Sequence, residues 1–188
     1  MSKILVIVGT TRDARVGRKV ADWYLEEARK NAPEEMEFEL FDVGEEKVPM
    51  FNEPYPPAMG KYSEYQQKLA DTVASADGYI IVTGEYNHAI PGSLKNFLDH
   101  VYAEWNNKAC AYVGYGSIGA ARSIEQLIPV MTALQVASVS NAMQSVSVSG
   151  MQDAFDENGV VKDDHVFGDI KTQLDALGWW VNALKAAR

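Results

Sequence analysis

Residues 3–19 read KILVIVGTTRDARVGRK. Ile4-Leu5-Val6-Ile7-Val8 is an unbroken apolar run rich in β-branched residues, the pattern of a strand covered on both faces at the centre of a parallel sheet. Gly9 ends the run. Polar Thr10 and Thr11 follow, then Arg12, Arg15 and Gly17. From Val16 the apolar positions Val16, Val20, Trp23 and Tyr24 fall at helical spacing. A strand, a short polar loop and a helix start therefore arrive in that order. Free helix-start amides, two hydroxyls and two guanidinium groups make a place to hold a phosphate. The same residues also make an ordinary strand-to-helix connection with solvated arginines. The loop is neither G-x-x-x-x-G-K-[ST] nor G-x-G-x-x-G, so neither a nucleotide phosphate loop nor a dinucleotide fingerprint is present.

The chain has 188 residues, 47% of them hydrophobic, which fits one domain with a sizeable core. Its net charge of −9 excludes a basic nucleic-acid footprint and makes Arg12, Arg15, Arg18 and Lys19 a positive island. Cys110 is the only cysteine, so no intrachain disulfide can form, and no zinc spacing occurs. No stretch reads as a signal peptide and no apolar run is long enough to span a bilayer, so the expectation is a cytoplasmic protein.

Working outward, Val16–Asn31 reads as a helix closed by Pro33. Met36–Val43 alternates apolar and acidic residues, as an edge strand does. Gly44–Gly60 holds Pro49, Pro54, Pro56 and Pro57 with Phe51 and Tyr55. A loop of that length serves function or a subunit contact, or is a surface loop pinned by prolines. Tyr62–Ser75 is a helix and Gly78–Thr83 a second buried strand. After the loop Glu85–Ile90, Pro91 opens a helix over Ser93–His100. Asn107–Tyr115 is an apolar strand and Gly116–Ala121 a small-residue turn, followed by a helix to about Leu134. Val136–Val148 is the last strand and its extension. Asp153–Asp164 is polar and acidic. Asp169–Arg188 closes the chain as a helix with Ile170, Leu174, Leu177, Val181 and Leu184 inward. Trp23, Trp105, Trp179 and Trp180 read as packing residues, and His100 as a group favoured at a helix C-terminus.

Strand and helix alternate five times, which predicts a doubly wound α/β sheet with right-handed crossovers. Ligands in such sheets sit beyond the carboxyl ends of the strands, where the winding reverses. Three loops fall there, each with glycine and polar groups. The first offers an anion pocket. The second offers Glu85, Tyr86, Asn87 and His88. The third offers Tyr115, Gly116 and a run of small residues that lets backbone approach a flat ligand. Tyr86 or Tyr115 can cover an aromatic face. A phosphate joined to a planar heteroaromatic ring describes FMN, and also other phosphorylated ligands.

Gly9-Thr10-Thr11-Arg12…Arg15-Val16-Gly17, Glu85–Asp99 (EYNHAIPGSLKNFLD) and Gly114–Arg122 (GYGSIGAAR) resemble the NADPH-dependent FMN reductase family, in the right order and over most of the chain. The resemblance implies a flavodoxin-like doubly wound sandwich, a five-stranded parallel sheet of order 2-1-3-4-5, and FMN as cofactor with NADPH or NADH as hydride donor. It implies an oxidoreductase passing electrons to a quinone, a flavin or a similar small acceptor. The alternatives are a flavodoxin-like electron carrier and a flavin-free domain that binds phosphate esters. By the resemblance Thr10, Arg12, Val16 and Gly17 match phosphate-loop positions, to which Arg15 is added. Glu85, Tyr86, Asn87 and His88 match the loop that meets the ring and ribityl chain; Tyr115, Gly116, Ser117 and Gly119 match the loop along its other edge. No side chain is expected to act as acid, base or nucleophile, and no metal is expected, because the flavin carries the redox chemistry. Gly84 stands where proline is usual, and His88 where the residue is often small. The resemblance also implies a homodimer or homotetramer; Val48–Pro57 and Tyr102–Trp105 are the regions of this chain where a contact is expected.

Overall fold

The computed structural model describes residues 1–139 and 145–188. Strand β1 (Ser2–Val8) lies between β2 (Met36–Asp42) and β3 (Gly78–Thr83), parallel to both, and β3 pairs in parallel with β4 (Lys108–Gly116). The registers Val8↔Asp42, Val8↔Val82 and Thr83↔Gly114 bring these strands to an end at one level. The loops that follow them therefore leave along one edge of the sheet.

Among the described residues the sheet has seven strands, not the expected five. The single expected strand over Val136–Val148 is two: β5 (Val136–Ser138) runs beside Lys108–Cys110, and β6 (Val146–Ser149) beside Val113–Gly116. Both occupy the fifth position, one after the other along β4, so the order 2-1-3-4-5 holds by place. Residues 140–144 of that expected strand lie outside the described residues. Strand β7 (Val166–Phe167) adds an antiparallel pair beyond β6. A two-residue strand is too short to carry a periodic signal in sequence.

The helices are α1 (Gly17–Asn31), α2 (Glu64–Ala74), α3 (Gly92–Leu98), α4 (Ala121–Ala133) and α5 (Ile170–Ala187). Because strand side chains alternate, β1 sends Leu5 and Ile7 into one core and Ile4, Val6 and Val8 into the other. Helices α2, α3 and α4 cover the first core; α1 and α5 cover the second. Each of these fully buried side chains contributes roughly 1.5–3 kcal/mol. Leu174, Leu177 and Val181 hold α5 on the sheet as expected, with Ile170 and Leu184 packed at the margin. That face turns Trp179 and Trp180 outward, 67% and 39% exposed, so neither is the packing residue expected of it. Trp105 is one, buried against Tyr79 and Phe97.

Helix α2 opens with a capping box between Ser63 and Gln66. At its other end the ammonium of Lys108 donates to the carbonyls of Val73 and Ala74 at 2.8 and 3.1 Å. Burial lowers the Lys108 pKa to about 8. Asn96 and His100 pin the proline-rich segment to α3. Phe51 N donates to Asn96 Oδ1 at 2.7 Å, Asn96 Nδ2 donates to Pro49 O at 2.7 Å, and His100 Nε2 meets the same carbonyl at 3.0 Å. His100 thus serves Pro49, with Phe51 edge-on to its ring, rather than the end of its own helix. Lys95 pairs with Asp99 one turn on, at 2.6 Å.

Candidate active site

The loop after β1 is tied down before it reaches the helix. Gly9 N donates to Val82 O at 3.0 Å, and Ser93 Oγ donates to Gly9 O at 2.7 Å. Thr10 is buried, and its hydroxyl bonds that of Tyr115 at 2.7 Å. Burial pushes the Tyr115 phenol up to about 12, against the opposing pull of the Thr10 bond, so it stays neutral and available to donate. Gly17 is needed beside this pair: a Cβ there would lie 2.5 Å from Tyr115 Oη and 2.6 Å from Thr10 Oγ1. Helix α1 then starts after Val16, with no side-chain cap and no acidic residue in its first turn. Its positive end is left for an anion.

The four cations of this region divide. Arg15 lies against Asp42 at the end of β2, with Nη2 at 3.0 and 2.9 Å from the two carboxylate oxygens. Arg18 binds Asp22 and Glu45. Arg12 and Lys19 pair with no carboxylate among the described residues. Arg12 instead reaches across the crevice, Nε donating to Tyr86 Oη at 3.3 Å. The sequence makes Arg15 a phosphate contact; in the fold its guanidinium fastens the first loop to the end of β2, and the residue borders the crevice.

The second loop is a tight turn. Tyr86 and Ala89 exchange both backbone hydrogen bonds at 3.1 Å, and Asn87 and His88 have φ of +50° and +70°. This is the two-residue turn with both central residues left-handed, which asparagine tolerates well. Asn87 and His88 are exposed, and neither lines the crevice. The Glu85 side chain is only 9% exposed and forms an ion pair with Arg122 at the start of α4. In the third loop Gly116, Gly119 and Ala120 have φ of +136°, +61° and +56°, with Ser117 exposed at the tip. A Cβ on Gly119 would lie 2.6 Å from Ser147 Oγ.

Together the loops enclose a crevice of about 80 Å³, lined by Arg12, Arg15, Val16, Gly84, Glu85, Tyr86, Tyr115 and Gly116 among others. It adjoins a hollow of about 480 Å³ that shares Ala14, Arg15 and Val16 and is walled by Lys19, Phe155 and Asp156. The sequence profile of the NADPH-dependent FMN reductases matches residues 2–149. The chain belongs to that family. An NAD(P)H-dependent FMN reductase of Schizosaccharomyces pombe is 36% identical over 66% of this chain and 63% of its own length, so the chain spans under two thirds of that relative. The 2-hydroxy-1,4-benzoquinone reductase of a Burkholderia species is 27% identical over 95% of this chain and 96% of its own. Among solved structures, the flavoenzyme FerB of Paracoccus denitrificans superposes with a TM-score of 0.68 at 22% identity, covering 99% of this chain and 98% of that one. That likeness carries the flavodoxin-like fold.

FMN is the cofactor in the family's name, and the residues here fit its phosphate end. An uncapped helix start and a guanidinium with no carboxylate partner among the described residues suit a phosphate ester. Sequence reading passed over Asp42, Arg122 and the Phe155 wall. Arg122 stood within the quoted third segment. Asp42 and Phe155 had no motif to mark them, since both reach the site only through the fold. Among the described residues no three His, Cys, Asp or Glu side chains form a metal site, and no helix is long and apolar enough to cross a membrane.

Proposed function

We propose that residues 1–188 form one flavodoxin-like domain acting as an NAD(P)H-dependent, FMN-containing oxidoreductase that reduces a quinone, a flavin or a similar small acceptor. The observation that carries this is Arg12, with no carboxylate partner among the described residues, in the crevice beside the open start of α1. Arg12 and the first amides of α1 hold the phosphate, and Gly17 lets the Thr10–Tyr115 pair pack against the helix start. Tyr86, Gly116, Ser117 and Gly119 face the ring. FMN, when bound, supplies the hydride chemistry, and the chain binds and orients it. Arg15 acts one step back, holding the loop through Asp42. The Burkholderia relative's name supports a quinone as acceptor.

Anaerobic mixing of the FMN-loaded chain with NADPH, then with NADH, is the test. The visible flavin absorbance is expected to bleach with at least one donor and to recover when benzoquinone is added. A chain that takes up no FMN, or whose flavin stays oxidised with both donors, contradicts the reading. A homo-oligomer is part of the same proposal. Its support is the apolar exposure of the 50–59 segment, where Met50, Tyr55 and Met59 are 80%, 45% and 54% exposed. The Tyr102–Trp105 region offers less, since Trp105 is fully buried. Light scattering that returns only the 20.8 kDa monomer at micromolar concentration removes the oligomer.

A further inference from the structure

Outside the crevice, His88 is contacted at both its backbone and its ring. His88 sits in the left-handed half of the two-residue turn, at φ +70°. Its carbonyl accepts from Gln126 Nε2 at 2.7 Å, which ties the turn to α4. Arg122 Nη1 lies 3.3 Å from His88 Nδ1, and Arg122 is itself held by the nearly buried Glu85, a crevice residue. A guanidinium can only donate, so Nδ1 must accept. The neutral imidazole is thereby fixed as the tautomer with its proton on Nε2, the atom away from Arg122. Gln126 thus fixes the His88 backbone, and Arg122, held by Glu85, fixes its ring.

We infer that His88 positions the electron acceptor: its Nε2–H donates a hydrogen bond to a carbonyl oxygen of a quinone-type substrate, with Glu85 and Arg122 setting its tautomer and direction. The inference rests on the oxidoreductase reading above. Reduction of a quinone to the hydroquinone takes two electrons and two protons. NAD(P)H supplies a hydride equivalent, and the second proton comes from water. His88 gives up no proton; it orients the carbonyl and stabilises the negative charge that grows on its oxygen. Acceptors without a carbonyl gain nothing from it.

The test compares benzoquinone with ferricyanide, a one-electron acceptor with no carbonyl, in steady-state turnover. His88→Phe should raise KM for benzoquinone about fivefold to tenfold, the loss of one hydrogen bond, with KM for ferricyanide unmoved. His88→Gln, which restores an N–H donor, should recover most of the loss. Nitrogen-15 spectra of the histidine-labelled, cofactor-free chain should show His88 almost wholly as the Nε2–H tautomer, and Arg122→Met should return it to the tautomer mixture of a free imidazole. Equal effects on both acceptors, or none on benzoquinone, overturn the inference while leaving the flavin reading intact, as does a His88 that titrates through mixed tautomers in the wild-type chain. Failure of NADPH to bleach the bound flavin overturns both.

Discussion

Asp42→Ala is expected to lose about 3 kcal/mol of folding stability, at the lower end of what breaking a buried ion pair costs. The Asp42 side chain is 1% exposed. It takes two contacts from Arg15 Nη2 and accepts from the backbone N–H groups of Gly44 and Glu45 at 2.8 and 3.3 Å. Arg18 stands 3.6 Å away. Truncation leaves the Arg15 guanidinium, 13% exposed, without its counter-charge and two amides without their acceptor. Arg15 has a partial route to solvent, which keeps the cost near the lower end. Asp42→Asn should lose less, because its amide oxygen still accepts from Gly44 while the charge is gone. Urea denaturation of the cofactor-free chain reads both, and a wild-type midpoint for Asp42→Ala contradicts the assignment. FMN affinity reads the same residue from the other side. If Arg15 acts by fastening the loop, Asp42→Ala should weaken FMN about tenfold, as the loop loses its anchor. Tighter binding together with lost stability would mean that the freed guanidinium had turned to the phosphate, as the sequence reading had it.

Gly114→Ala should be at least as damaging, for a steric reason. A Cβ at Gly114 would collide with the carbonyl oxygen of Gly119 and lie 3.0 Å from Ile124 Cδ1. The obstacle is backbone, not the end of a flexible side chain. It belongs to a turn already committed to left-handed conformations at Gly116, Gly119 and Ala120. Relief therefore means moving the third loop off β4, at a cost of about 3 kcal/mol. FMN affinity should fall by roughly tenfold or more with it. Gly92→Ala is the control: nothing lies within 4 Å of a Cβ there, so stability and FMN binding should stay at wild-type levels. Equal behaviour of the two variants in urea melts and FMN titrations would refute the packing account.

Much of this was legible in the chain itself. The apolar run of β1 identified the central strand because a strand buried on both faces needs no polar alternation. The acidic alternation of Met36–Asp42 identified an edge because one of its faces meets water, and Glu37 and Glu39 are exposed there. The Lys95 and Asn96 of the second motif serve structure, in an ion pair and in the clamp on residues 49–51. What was misread shares a cause. Trp179 and Trp180 looked like core by residue type, but the register of α5 on the sheet, set by Leu174, Leu177 and Val181, turned them out. The last strand looked single because β-propensity marks extended backbone and not where pairing stops.

Local pattern by itself determined the order of strands and helices, the central strand, and which three loops carry polar groups beside glycine, since periodicity and turn chemistry act between near neighbours in the chain. Tertiary structure alone decided how the charges divide. Arg12 and Arg15 are indistinguishable in sequence, two guanidinium groups in one short loop. Only the parallel register of β1 with β2 brings Asp42, 27 residues from Arg15, into contact with one of them and leaves the other with no carboxylate among the described residues. Coulomb interactions fall with distance through space and take no account of separation along the chain, so no window of sequence could tell the two apart.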